Sequence, residues 1–172
     1  MSTIDCDLRS LDARTSDHWL LEGRQRRSNA RGAKARMNDG GKQKPRVILA
    51  DDNAQILKLT AMLLRIEFDV VAAVSNGEEA IEAVNRLRPD VLVLDVQMPV
   101  LDGVQTAKRL KEWGSPTKIV ILSGLEDPAH VEYAREVTAS AFVSKAYISS
   151  DLPRAICEAV AGRFFTSSRL RV

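Results

Sequence analysis

The sequence predicts an α/β fold in which a doubly wound, five-stranded parallel sheet is flanked by five helices. Short, valine-rich apolar segments alternate with segments whose apolar residues recur at helical spacing. Several of the apolar segments run directly into Asp, Ser or Lys, as expected where a buried strand leaves a parallel sheet. This alternation covers residues 45–162, which is enough chain for one domain with its own core.

The elements follow one another in a regular order. The predicted strands are 47–50, 68–74, 91–94, 118–122 and 141–144. Asn53 can cap the first helix, and the second and third helices are expected at 78–87 and 103–113. Pro128 opens the fourth helix, which ends near residue 137, and Ser149 or Ser150 caps the fifth, with Pro153 in its first turn.

The segments outside this domain have a different composition. Residues 1–44 are expected to be a disordered basic extension, and residues 163–172 a short C-terminal tail. The net charge of the chain is only +2, but residues 23–44 carry eight basic residues against one acidic residue. This basic run could contact nucleic acid, although a solvated tail is the favoured interpretation. Met37 is an alternative position for the start of the natural protein.

The cellular setting is predicted to be the cytoplasm. The N-terminus lacks the apolar core of a secretory signal, and no apolar run is long enough to span a bilayer. The two cysteines, Cys6 and Cys157, are far apart and form no metal or redox motif.

Polar side chains collect at the carboxyl ends of the predicted strands. Strand 1 runs into Asp51 and Asp52, strand 3 into Asp95, strand 4 into Ser123 and strand 5 into Lys145. In open α/β sheets ligands bind at this edge, so these side chains are expected to converge. Clustered carboxylates repel one another unless a cation binds, and oxygen ligands suit Mg²⁺. An aspartate beside a metal, a hydroxyl and a lysine can accept a phosphoryl group.

Four motifs in the right order carry a resemblance to a known family. They are the acidic pair in ILADDN, the aspartate in VLVLDVQMPVLDG, the hydroxyl in VILSG and the lysine in AFVSKA. Residues 45–162 thereby resemble the receiver domain of two-component response regulators, similar to the chemotaxis response regulator. The resemblance implies a flavodoxin-like sheet with strand order 2-1-3-4-5.

The resemblance also implies roles for individual residues. Asp95 corresponds to the phospho-acceptor, and Phe142 corresponds to the aromatic switch residue. The Mg²⁺ ligands correspond to Asp51, Asp52, Asp95 and the backbone carbonyl of Gln97. The groups that contact the phosphoryl oxygens correspond to Ser123 and Lys145. The implied partners are a histidine kinase or phosphotransfer protein and an unidentified output protein. A homodimer through the face of the fourth and fifth helices is a further implication. Nucleic acid and membrane are not expected partners.

Some features leave alternatives open. Ala146 follows Lys145 where the family often has proline, a departure shared with receivers of LuxR-type regulators. The DNA-binding helix-turn-helix of those regulators is missing, so a receiver remnant acting as a phosphorylation-independent interaction module is the alternative function. A turnover enzyme is not expected, because a phosphatase of the haloacid dehalogenase type would need a second aspartate where Gln97 stands. Neither His18 nor His130 lies near the predicted site, so a phosphorelay role for them is disfavoured.

Overall fold

A computed structural model of the protein describes residues 43–124 and 139–167. The elements, in chain order, are β1 (Arg46–Ala50), α1 (Ala54–Leu64), β2 (Asp69–Val74), α2 (Gly77–Leu87), β3 (Val91–Asp95), α3 (Gly103–Glu112), β4 (Lys118–Ser123), β5 (Ala141–Ser144), a 3₁₀ turn (Lys145–Tyr147), α4 (Ile148–Val160) and β6 (Phe165–Thr166). The predicted extension 1–44, apart from its last two residues, and the predicted fourth helix lie outside the described residues. The label α4 therefore belongs to the helix that was expected as the fifth.

All strand pairs in the sheet are parallel, and the strand order is β2-β1-β3-β4-β5-β6. The predicted doubly wound α/β fold is thus confirmed, because the first five strands have the expected order. The strand count needs a correction. Phe165 and Thr166, which were expected to belong to a tail, form a sixth strand that pairs with β5.

The central strands are buried on both faces. In β1, Val47 and Leu49 belong to the apolar cluster under α1 and α4, whereas Ile48 and Ala50 belong to the cluster under α2 and α3. Strand β3 alternates in the same way and is buried along its whole length. Successive side chains of a strand point to opposite faces, so a continuous apolar run is what two helical layers require.

The start of α4 differs from the prediction. Neither Ser149 nor Ser150 caps this helix: it begins at Ile148, directly after the 3₁₀ turn, and Tyr147 at the cap position makes no side-chain capping bond. Ser144 caps the 3₁₀ turn instead, because its hydroxyl accepts a hydrogen bond from the N–H of Ala146. Pro153 consequently lies inside α4. None of the helices in residues 43–124 and 139–167 is long and apolar enough to cross a bilayer.

Candidate functional site

Three aspartates meet at the carboxyl edge of the sheet. Asp95 is the last residue of β3, and Asp51 and Asp52 directly follow β1, the neighbouring strand. Asp51 and Asp95 are 2% and 3% exposed, while Asp52 is exposed to solvent. One carboxylate oxygen from each of the three lies within 4.8 Å of the others. The predicted convergence of Asp51, Asp52 and Asp95 is therefore present in the structure.

Lys145 joins the two buried carboxylates. Its Nζ lies 2.7 Å from Oδ2 of Asp51 and 2.9 Å from Oδ2 of Asp95. Lys145 follows β5, which is separated from β3 by β4, so the long lysine side chain bridges across one strand. Three ionised carboxylates carry three negative charges, and the ammonium of Lys145 balances one of them. The remaining two negative charges could be balanced by one divalent cation.

The two oxygens of Asp51 have different surroundings. Oδ1 accepts a hydrogen bond of 2.9 Å from the backbone N–H of Asn53, which is the geometry of an Asx turn. Oδ2 is buried and lies 2.7 Å from the Lys145 ammonium, with which it forms an ion pair. A buried carboxylate oxygen in this position can also serve as a ligand to a metal ion.

Burial and neighbouring charges shift two proton equilibria at the site. Burial raises the pKa of Asp95 and the charge of Asp51 adds to this, against the opposing effects of Lys145 and the Gln97 N–H. Burial by itself would lower the pKa of Lys145, but its contacts with Asp51 and Asp95 outweigh this, so the pKa is raised. Lys145 thus carries its charge at neutral pH, and Asp95 holds a proton more readily than a free aspartate does.

The other predicted site residues lie around this centre. Ser123 ends β4, between the strands that carry Asp95 and Lys145, and is 2% exposed. Gln97 is exposed in the loop after β3 and lines one shallow depression together with Asp52. Phe142 is fully buried within β5 and belongs to the apolar cluster under α2 and α3. The catalytic, metal-binding and switch roles of these residues stay predictions.

Two supporting residues were not recognised as such in the sequence. Asn53 was expected only as a helix cap; it caps α1 by accepting from the N–H groups of Gln55 and Ile56, and its own N–H also fixes Asp51. Gly103 was expected only as the first residue of the third helix. A Cβ atom at this position would lie 1.9 Å from the backbone oxygen of Asp95, so α3 can approach the end of β3 only with glycine there.

Comparison with known proteins identifies the family. Residues 47–157 match the model of the response regulator receiver domain, and this match covers more than half of the chain. The chain belongs to the response regulator receiver domain family. The four sequence motifs therefore indicated the correct family, whose members act in two-component signalling.

Similar receiver domains occur in transcription regulators. The chain is 34% identical to the uncharacterized transcriptional regulatory protein YvfU of Bacillus subtilis, over 73% of this chain and 64% of that protein. It is 29% identical to the probable transcriptional regulatory protein NarL of Mycobacterium tuberculosis, over 74% of this chain and 60% of that protein. The crystal structure of a LuxR-family response regulator from Aurantimonas is similar, with 26% identity and a TM-score of 0.70 over 74% of this chain and 93% of that chain. The chain thus spans a little under two thirds of the length of these two curated relatives, and the similarity to LuxR-type receivers is confirmed.

Proposed function

We propose that this receiver domain accepts a phosphoryl group on Asp95 from a histidine kinase or phosphotransfer protein, and that phosphorylation alters a partner-binding face. The observation that carries the proposal is the Lys145 ammonium held between Asp51 and Asp95. Beside it, one carboxylate oxygen from each of three aspartates lies within 4.8 Å of the other two. One of these carboxylates is available as acceptor, while the others and the lysine can neutralise the charge that a phosphoryl group brings.

The donor set at this edge fits Mg²⁺. The carboxylates of Asp51, Asp52 and Asp95 and the backbone carbonyl of Gln97 are all oxygen ligands, which Mg²⁺ prefers. The excess of three carboxylates over the single Lys145 ammonium supports the same assignment. When bound, the ion would supply positive charge next to the phosphoryl oxygens.

The transfer itself requires one bond to form and one to break. A carboxylate oxygen of Asp95 attacks phosphorus, and the bond from phosphorus to the donor, a nitrogen in phosphohistidine or an oxygen in acetyl phosphate, breaks. An acyl phosphate forms on Asp95, and the donor leaves with the bonding electron pair. Lys145 would move from the free carboxylate to a phosphoryl oxygen, and the Ser123 hydroxyl would donate to another.

The output is proposed to run through β5. Phe142 is the inferred switch aromatic, three residues before Lys145, and it occupies a fully buried position in this structure. The partner face would consist of the predicted fourth helix, β5 and α4, and this face is also proposed for a homodimer. Self-phosphorylation and self-dephosphorylation of one site, rather than turnover of a substrate, would be the chemistry of the domain.

Intact-mass spectrometry tests the proposal. The protein is incubated with acetyl phosphate and Mg²⁺, and Asp95→Ala serves as the matched variant. We expect one labile phosphoryl adduct on the wild type, and no adduct on the variant or in the absence of Mg²⁺. A folded wild type that gains no adduct from acetyl phosphate or from a histidine kinase would favour the phosphorylation-independent interaction module.

A further inference from the structure

Strand β6 extends the sheet immediately beside the site. The N–H of Phe165 donates to the carbonyl of Ser140 at 3.2 Å, and the N–H of Ser167 donates to the carbonyl of Phe142 at 3.1 Å. These bonds place β6 parallel to β5, with Phe142 opposite Thr166. The residues that follow α4 therefore pair with β5, the strand that directly precedes Lys145.

The turn after α4 directs the chain to this position. Gly162 has a φ of +74°, the left-handed conformation that glycine adopts without a steric penalty. Its N–H donates to the carbonyl of Ala159, and the N–H of Arg163 donates to the carbonyl of Glu158. The side chains of Arg163 and Glu158 also form an ion pair. The helix thus ends in a fixed turn that returns the chain to the sheet.

Apolar contacts anchor the returning strand. The side chain of Phe165 is buried and belongs to the cluster formed under α1 and α4. The guanidinium carbon of Arg154, on α4, lies 5.6 Å from the centre of the Phe165 ring, which is within cation–π distance. The segment 165–167 is accordingly a packed part of the domain.

Ser167 connects this strand to Lys145. Its side chain is buried, with the residue 1% exposed, and its Oγ accepts a hydrogen bond of 3.3 Å from the N–H of Ser144. Ser144 in turn accepts a bond of 3.3 Å from the N–H of Ala146 through its own hydroxyl. The residues on both sides of Lys145 are therefore held by hydrogen bonds, and the first of these bonds is made to Ser167, the residue directly after β6.

We propose that Ser167 is a positioning residue for Lys145, so that the segment after α4 forms part of the phosphoryl-acceptor site. This inference deepens the proposed function. Ser167 contacts no reacting atom. It fixes the backbone at the end of β5, from which the Lys145 side chain reaches Asp51 and Asp95. A change in the pairing of β6 would consequently change the geometry of the site, and phosphorylation would in turn affect β6.

The test compares Ser167→Ala with Thr166→Val. The first substitution removes the hydroxyl that accepts from the Ser144 N–H. The second changes the neighbouring residue, whose hydroxyl is buried and has no hydrogen-bond partner among the described residues. The rate of phosphorylation by acetyl phosphate with Mg²⁺ is measured by intact mass. We expect it to fall about fivefold in Ser167→Ala, the factor for loss of about one hydrogen bond, and to stay within about twofold of wild type in Thr166→Val.

A second readout does not depend on phosphoryl transfer. The ¹³Cε resonance of Lys145 is recorded by NMR in the wild type and both variants, and we expect it to shift in Ser167→Ala alone. The proposal would be overturned if both variants kept the wild-type resonance and the wild-type rate. It would also be overturned if both variants changed to the same extent. A wild type that accepts no phosphoryl group, combined with a Lys145 resonance shifted only in Ser167→Ala, would refute the proposed function and retain the positioning role.

Discussion

The ammonium of Lys145 lies 2.9 Å from Oδ2 of Asp95, and the same ammonium contacts Oδ2 of Asp51 at 2.7 Å. One cation therefore holds two carboxylates that are almost completely buried. Buried charges are tolerated when they are paired, and removing one partner leaves the others uncompensated. We therefore expect the stability of the domain, and the proposed acceptor role of Asp95, to depend on this contact.

Lys145→Gln is expected to lower the free energy of unfolding. The loss should be about 2 kcal/mol, less than for a fully buried pair, because the Lys145 side chain is 19% exposed and partly screened by water. Urea denaturation without metal measures this loss of unfolding free energy. The control is Lys108→Gln, which replaces an exposed lysine on α3. Mg²⁺ should stabilise Lys145→Gln more than the wild type. A variant as stable as the control would contradict this account of the site.

Asp95→Asn is expected to stabilise the domain at neutral pH. The pKa of Asp95 is raised above its usual 3.8, so the folded protein binds this proton more tightly than the unfolded chain. Ionisation of Asp95 consequently costs stability as the pH rises from 3.8 through the folded pKa, and asparagine avoids that cost. The advantage of Asp95→Asn should be absent below pH 3.8, grow through this window and stay constant above it.

Unfolding free energies of wild type and Asp95→Asn, measured across this pH range, check the prediction. Glu82→Gln, an exposed substitution on α2, is the control for removing a negative charge. An advantage that increased as the pH fell would have the wrong sign and would show that Asp95 is stabilised in its ionised form.

Asp52→Asn is expected to weaken Mg²⁺ binding by about tenfold or more while leaving the fold intact. Asp52 is exposed, unlike Asp51 and Asp95, yet its carboxylate belongs to the same cluster. Isothermal titration calorimetry with Mg²⁺ measures the affinity. In the wild type the affinity should also rise with pH, because the proton on Asp95 must leave before the metal binds. Unchanged affinity in Asp52→Asn would exclude this residue from the proposed metal site.

Gly103→Ala is expected to disturb the site although Gly103 carries no functional group. Its new Cβ would lie 1.9 Å from the backbone oxygen of Asp95 and 2.8 Å from the carbonyl carbon, so β3 or α3 must shift. Gly124→Ala is the matched control, because no atom of residues 43–124 and 139–167 lies within 4 Å of a Cβ at that position. Thermal denaturation should show a clear loss of stability for Gly103→Ala only. Equal melting temperatures would mean that the strand end has more room than the structure indicates.

Much of the architecture could be predicted from the sequence because its signals are local. The continuous apolar runs of β1 and β3 face two helical layers, and the residue after each run has to leave the sheet. Parallel topology then brings Asp51 and Asp95 to the same edge without any knowledge of side-chain contacts. The convergence of the acidic residues and Lys145 was thus a consequence of strand order.

Features that depend on tertiary contacts could not be predicted. Strand β6 has only two residues, too few for a periodic pattern, and it exists because Phe165 is buried beside α4. The start of α4 was misplaced for a related reason. Ser149 and Ser150 have the side chains of helix caps, but the 3₁₀ turn capped by Ser144 runs directly into the helix.

The central claim is that Asp95, and neither Asp51 nor Asp52, is the acceptor. Borohydride reduction of the protein after reaction with acetyl phosphate and Mg²⁺ converts an aspartyl phosphate into homoserine, which peptide mass spectrometry then locates. Homoserine at residue 95 alone is the predicted result. Homoserine at residue 51 or 52, or at none of the three positions in protein that carries the phosphoryl adduct, would contradict the assignment of Asp95.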